Sequence, residues 1–331
     1  MSEDNTQNIE NAEEEIQIEG TIDDKVKVVP DAQVKENHVP KIDIPADMSN
    51  DQLLDTIIGS DTLIPWEQCE LPSRGLYYNW PDGYVKVRAM TQTAEKMLAN
   101  QRLAKSGQAL DAMLAECCQL PNGFTLADLL VGDRIFLMYY IRGITYGNIY
   151  EFSVTCPDCG VSNMHSYDLN NLSETITFAD SEIGNEPFKV HLPYMSEAVN
   201  KDVWVGLRFL RVFDTNEILA RRKARSKAFS TTTVRNKKPG TNKSRSQPNN
   251  DDMIEEHMSK IIVSFMGVED PFRIRQLVDK LHAKDTHTIR EWLKDHTPGI
   301  SSAVDVTCPE CGFDFSMELP ITDTFFRPAE R

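Results

Sequence analysis

The stretches "EFSVTCPDCGVSN", residues 151–163, and "AVDVTCPECGFDF", residues 303–315, share one phrase, V-T-C-P-x-C-G. The flanks of each copy alternate like strands, so each reads as a strand, a tight turn and a second strand. Such a turn aims both sulfurs at one point, and the following glycine permits the left-handed backbone the turn requires. A redox Cys-x-x-Cys instead places its first thiol at a helix N-terminus, where the dipole lowers its pKa. No helical pattern follows either copy. Two knuckles supply the four thiolates of a tetrahedral structural zinc site, which makes Cys156, Cys159, Cys308 and Cys311 the candidate ligands.

The spacing is unusual, because 148 residues lie between Cys159 and Cys308, against roughly 15–20 in a compact ribbon. Closing so long a loop costs only a few kcal/mol by logarithmic scaling, whereas structural zinc contributes about 10–16 kcal/mol. One site split across the chain is therefore the expectation. The alternatives are recruitment of a histidine by each pair, with His165 in reserve for the first knuckle, a site shared by two chains, and no metal. A closed four-cysteine site has no position for a reacting water, so it would hold the fold together and would not catalyse.

Three cysteines remain of the seven, Cys69, Cys117 and Cys118. In "ALDAMLAECC" the last two continue the apolar stripe of Leu110, Met113 and Leu114, which marks them as small core residues. No apolar run approaches the roughly 20 residues that cross a bilayer, and the polar, acidic start lacks the regions of a signal peptide. The expectation is a soluble protein made in a cytosol, with its thiols reduced or on metal.

Charge divides the chain. Residues 1–60 hold 15 acidic and 4 basic side chains of a total net charge of −16, the composition of a disordered acidic tail. Residues 219–250 hold ten Lys or Arg and no acid, and the expectation there is a basic disordered loop. Between and beyond these segments, strand and helix patterns recur in one order and end each time in a knuckle. The fold class expected is α+β, with two related modules, 61–172 and 173–331. The helices expected in the second module are about 252–266, 271–281 and 289–296, the last with a Thr288/Glu291 capping box.

The elements "LPSRGLYY", "VKVRAMTQTAEKML", "GDRIFLMYYIRGITYGNIYEFSVTCPDCG" and "VTCPECGFDFSMELPITDTFFRP" resemble baseplate hub and hub-assembly proteins of contractile-tailed, T-even-type bacteriophages, over roughly residues 71–331. The resemblance implies a non-enzymatic protein of the virus tail. It implies other baseplate and hub proteins as partners, and assembly in the host cytoplasm with a place in the virion tail baseplate. The acidic tail and the basic insertion are not part of what the resemblance carries.

From another class, a nucleic-acid-binding zinc-ribbon protein would use the basic run, with Arg221, Arg222, Lys223, Arg225, Lys237 and Lys238 as contacts. One aromatic, Phe229, serves base stacking poorly there, and a solvated linker is the plain reading. The same residues are candidate protein contacts. Phe325 and Phe326, in "PITDTFFRP", either meet a partner or pack on their own domain. Trp66, Trp80, Trp204 and Trp292 read as packing residues. The chain has no H-E-x-x-H, P-loop, G-x-S-x-G or dinucleotide fingerprint, so no enzyme class gains support.

Overall fold

In the computed structural model the described residues are 44–45, 47–59, 63–78, 80, 83–234, 250–321 and 323–327. After a lone helix, α1 (Asn50–Gly59), strands β1 (Glu67–Glu70) and β2 (Tyr84–Val87) pair antiparallel. Three helices follow, α2 (Gln92–Leu98), α3 (Gln101–Ser106) and α4 (Ala109–Cys117), before β3 (Cys118–Gln119) returns to the other edge of β2. Then come α5 (Val131–Tyr146) and the hairpin of β4 (Ile149–Thr155) and β5 (Ser162–Asp168). Local chemistry sets these boundaries. Thr91 and Asn100 cap α2 and α3 with side-chain oxygens, and Gly107 ends α3 in the left-handed region.

Past a short link carrying β6 (Ile176–Thr177), the same order recurs. Strand β7 (Phe188–His191), helix α6 (Pro193–Val199) and strand β8 (Trp204–Leu207) precede α7 (Val212–Val234) and α8 (Asn250–Ile261), and β9 (Ile262–Phe265) returns to β8. Helices α9 (Pro271–Val278) and α10 (Ala283–His296) lead through β10 (Gly299–Ile300), which pairs with β6, to the hairpin of β11 (Ala303–Thr307) and β12 (Asp314–Glu318). A terminal turn of helix is α11 (Asp323–Phe326).

The two runs agree in hydrogen bonding. Leu71 and Leu192, each followed by proline, donate to Gly83 O and Val203 O at 3.0 and 2.9 Å. Arg88 N donates to Cys117 O just before β3, and Arg208 N donates to Ile261 O just before β9. Asp133 in the first turn of α5 accepts from Ser73 N, and Asp285 in the first turn of α10 accepts from Tyr194 N and Met195 N. From these aspartates to the knuckle cysteines the two runs keep one spacing, with Gly147 matched to Gly299. The chain therefore contains a structural repeat.

The cores do not divide at residue 172. The first is built on Val85, Val87, Met113, Leu114, Leu137, Ile141, Tyr150 and Phe152, and it takes in Val304, Val306, Leu319, Phe325 and Phe326 from the far end of the chain. The second gathers β7, β8 and β9 with α8, α9 and α10 around Val205, Leu207, Ile262 and Ile289. Between the runs, Tyr77, Phe188 and Phe209 pack edge to face or tilted, with Trp292 beside them. The backbones touch there as well. A Cβ on Gly132 would lie 2.0 Å from Pro298 O, so this approach needs glycine.

Several elements correct the sequence reading. Residues 219–234 continue α7 where a loop is expected. Ala220, Arg221, Arg222, Lys223, Ala224 and Arg225 are good helix formers, and the first proline comes later, at Pro239. Residues 235–249, with Lys237 and Lys238, lie outside the described residues, as do residues 1–43 of the acidic tail. Helix α8 stops at Ile261, and the β-branched Ile262 and Val263 form β9 instead. Helix α10 starts at Ala283, because His282 Nδ1 caps it by accepting from Lys284 N at 3.2 Å. The Thr288/Glu291 box therefore lies within that helix.

Candidate metal centre

Both knuckles sit at the tips of their hairpins. In the first, Cys156 N donates to Val161 O and Gly160 N to Cys156 O; in the second, Cys308 N donates to Phe313 O and Gly312 N to Cys308 O, all at 2.9–3.0 Å. Gly160 and Gly312 hold φ of 72° and 70°, the left-handed geometry that closes each turn. The inward residues of the hairpins, Tyr150, Phe152 and Val154 on one and Val304 and Val306 on the other, belong to the first core. Packing on a common core brings the two tips together.

The sulfurs meet across the repeat. Cys156 Sγ lies 3.7 Å from Cys311 Sγ, and Cys159 Sγ lies 3.8 Å from Cys308 Sγ. All four ligand atoms fall within 4.8 Å of one another. A tetrahedron with arms of about 2.3 Å, the zinc–thiolate distance, has edges of roughly 3.8 Å. The first cysteine of each knuckle is buried and the second exposed, so the cluster has an inner and an outer edge. These four thiols are placed to hold one metal ion.

The donors around the cluster favour a thiolate at Cys308. Amides of Cys311 and Glu310 point at the Cys308 sulfur and bring its pKa down to about 7 against the opposing effect of burial. At Cys311 the Phe313 amide pulls the same way, but burial and the three neighbouring sulfurs outweigh it and push the thiol up to about 12. Asn163, on β5, sends Nδ2 to Cys308 Sγ at 3.5 Å. His165 packs over the Phe152 ring and is not among the clustered ligand atoms. Elsewhere, burial pushes Cys69 up to about 12 and Cys117 up to about 11, and raises Cys118 further. Those three are inert core thiols.

Residues 74–327 match the family model described as T4 bacteriophage base plate protein. The chain belongs to that family. No curated protein and no solved structure matches it. The matched stretch of this baseplate protein runs from just after β1 and holds the rest of the first run, the whole of the second and both knuckles, and α1 lies before it. Among the described residues, no helix is long and apolar enough to cross a membrane.

The other expected contacts of the baseplate protein are distributed differently. Phe325 and Phe326 are 0% and 1% exposed. Phe325 meets Tyr139 and Tyr150 edge to face, which corrects the expectation of a partner contact in favour of packing on their own domain. Arg221 is exposed and ion-paired with Glu217. Arg222 reaches Glu256 at 3.1 Å, and Lys223 is exposed. Arg225 lies on α7.

Sequence reasoning misses Asn163 and the buried Asp133 and Asp285. Asn163 carries a usable signal, since it is a polar residue at an inward position opposite Val154. For the aspartates the signal is a matched acid in the first turn of two helices at the same distance from their knuckles.

Proposed function

We propose that this baseplate protein is a non-enzymatic component of the tail baseplate hub, or a factor that assembles the hub, with one structural zinc ion on Cys156, Cys159, Cys308 and Cys311. The observation that carries this reading is the four-sulfur cluster made half by each repeat, in a chain of the base plate family. Four thiolates at tetrahedral spacing suit zinc and exclude the hard oxygen-seeking cations. With all four positions taken by sulfur, no site remains for an activated water, which favours a structural role. The zinc ties the hairpin of the first run to the end of the second and so fixes the surfaces that other baseplate and tail hub proteins read. Assembly would take place in the host cytoplasm, with the product in the virion tail.

Complementation tests this reading. In a phage lacking the gene, the wild-type chain should restore complete baseplates, scored by sedimentation and electron microscopy, and the Cys308→Ser/Cys311→Ser chain should not. Complete baseplates formed without the gene would overturn it.

A further inference from the structure

Each knuckle hairpin is a sheet of two strands, so its outer edges present backbone groups that the hairpin itself does not pair. Hydrogen bonding fixes which residues carry them. Leu169 N donates to Asn148 O and Cys156 N to Val161 O, so in the register of the first hairpin β5 bonds to β4 through Asn163, His165 and Tyr167. Ser162, Met164 and Ser166 therefore turn their amides and carbonyls away from β4. Among the described residues nothing bonds those groups. The side chains of the same three residues face solvent, and Met164 is 68% exposed.

The repeat shows what is particular to this edge. Strand β12 holds the matching place in the second run, and the residues matched to Ser162 and Ser166 are Asp314 and Glu318. A copy of β12 laid antiparallel along it over its full length would set Asp314 opposite Glu318, like charge against like. The outer edges of β4 and β11 carry Glu151 and Asp305. Along β5 no Lys, Arg, Asp, Glu or Pro occurs from Ser162 to Tyr167, and its pairing has no bulge. Those are the devices that keep an edge strand single. Asp168, at the strand end, uses its carboxylate to accept from Asn170 N at 2.9 Å.

We infer that β5 of one copy pairs antiparallel with β5 of a second copy of this chain, about a two-fold axis at His165, in a four-stranded sheet of order β4-β5-β5-β4. In this register Ser162 faces Asp168 and Met164 faces Ser166, so no acid lies opposite another. The two Met164 side chains become diagonal neighbours and cover each other. The contact is isologous, the same strand on both copies. It uses backbone groups and no thiol, and so stands apart from the metal reading.

The full chain, metal in place, tests this directly. Light scattering after size exclusion should show a concentration-dependent dimer. Salt should strengthen it, because residues 143–188 hold seven acids and no Lys or Arg and the two copies repel at low ionic strength. Residue-resolved hydrogen exchange gives the signature. As concentration rises, the amides of Ser162, Met164 and Ser166 should slow by about tenfold or more, while those of Asn163, His165 and Tyr167, bonded to β4 throughout, change little. Met164→Lys should weaken association about tenfold or more and leave metal content and thermal unfolding unchanged, since that side chain lies in solvent. Adding Ser166→Asp to it should recover most of the loss, because the register sets position 164 of one copy opposite position 166 of the other. A wild-type chain that stays monomeric at its highest soluble concentration leaves the edge to a strand of another protein and overturns the inference. Protection of the three amides in a chain diluted to monomer would place a segment of the same chain there and overturns it too. So does a dimer in which these amides exchange freely, or one that Met164→Lys leaves intact, or a double variant that fails to recover.

Discussion

Asp133 and Asp285 occupy the same place in the two runs of this chain. Each is fully buried in the first turn of a long helix, and each accepts from the amide just past a Leu-Pro pair, Ser73 N at 3.0 Å and Tyr194 N at 2.8 Å. The contact pins the strand–loop–strand at the start of a run to the helix that leads into its knuckle. Through it, strand positions set far apart in sequence are linked to the positions of the sulfurs.

Removing the second of these carboxylates should be costly. Asp285 also takes Met195 N at 3.2 Å, so it serves as the missing N-terminal cap of α6, whose preceding Leu192 makes no side-chain cap. Asp285→Ala takes the buried acceptor from two half-buried amides and should cost about 1–3 kcal/mol in urea unfolding. Asp279→Ala, at an exposed position, should stay within about 0.5 kcal/mol.

Asp133 should make stability depend on pH in the acid range. Burial raises its carboxyl from 3.8 to about 6, against hydrogen bonds from Ser73 and Tyr78 that pull it down. A folded pKa above the unfolded one means that the folded chain holds the extra proton. Its contribution is complete below pH 3.8 and is lost as the pH rises through 6. The loss is about 3 kcal/mol at most. The stability of the wild type relative to Asp133→Asn should therefore fall between pH 4 and 6.5 and be flat above, measured by denaturant unfolding.

Asn163 donates to the Cys308 sulfur from outside the ligand set. Asn163→Ala should leave the fold intact and weaken metal binding about tenfold or more, read by competition with a chromogenic chelator. Unchanged affinity would show that the backbone amides alone set the thiolate.

The pairing of sulfurs across the repeat makes a further outcome specific. When diamide, which takes two hydrogens for each disulfide formed, is added to the folded chain without chelator, the products should be Cys156–Cys311 and Cys159–Cys308, the pairs at 3.7 and 3.8 Å. Non-reducing peptide mapping distinguishes these from disulfides within each Cys-x-x-Cys.

The knuckles and their strands were legible because a short repeated phrase determines both turn and chemistry: β4 runs over Ile149–Thr155, as the alternation predicts. Strand β9 was hidden because Ile254, Met258, Ile261 and Phe265 fit a helical stripe, and only pairing with β8 pulls the last residues out of it. The start of α10 was hidden because a histidine does the capping, a role usually held by Ser, Thr, Asp or Asn. Phe325 and Phe326 look free in a short polar ending, and their burial depends on Tyr139 and Tyr150, far away in sequence. Local chemistry could be read locally, whereas contacts between the two runs could not.

Native mass spectrometry of the purified chain, before and after a strong chelator in volatile salt, tests the central claim most directly. The account predicts one ion with the mass of zinc per chain, with removal shifting the charge-state distribution to that of an unfolded chain. Two ions per chain would mean that each knuckle completes its own site. No ion, or a chain that stays folded without it, would contradict a metal that ties the two runs together.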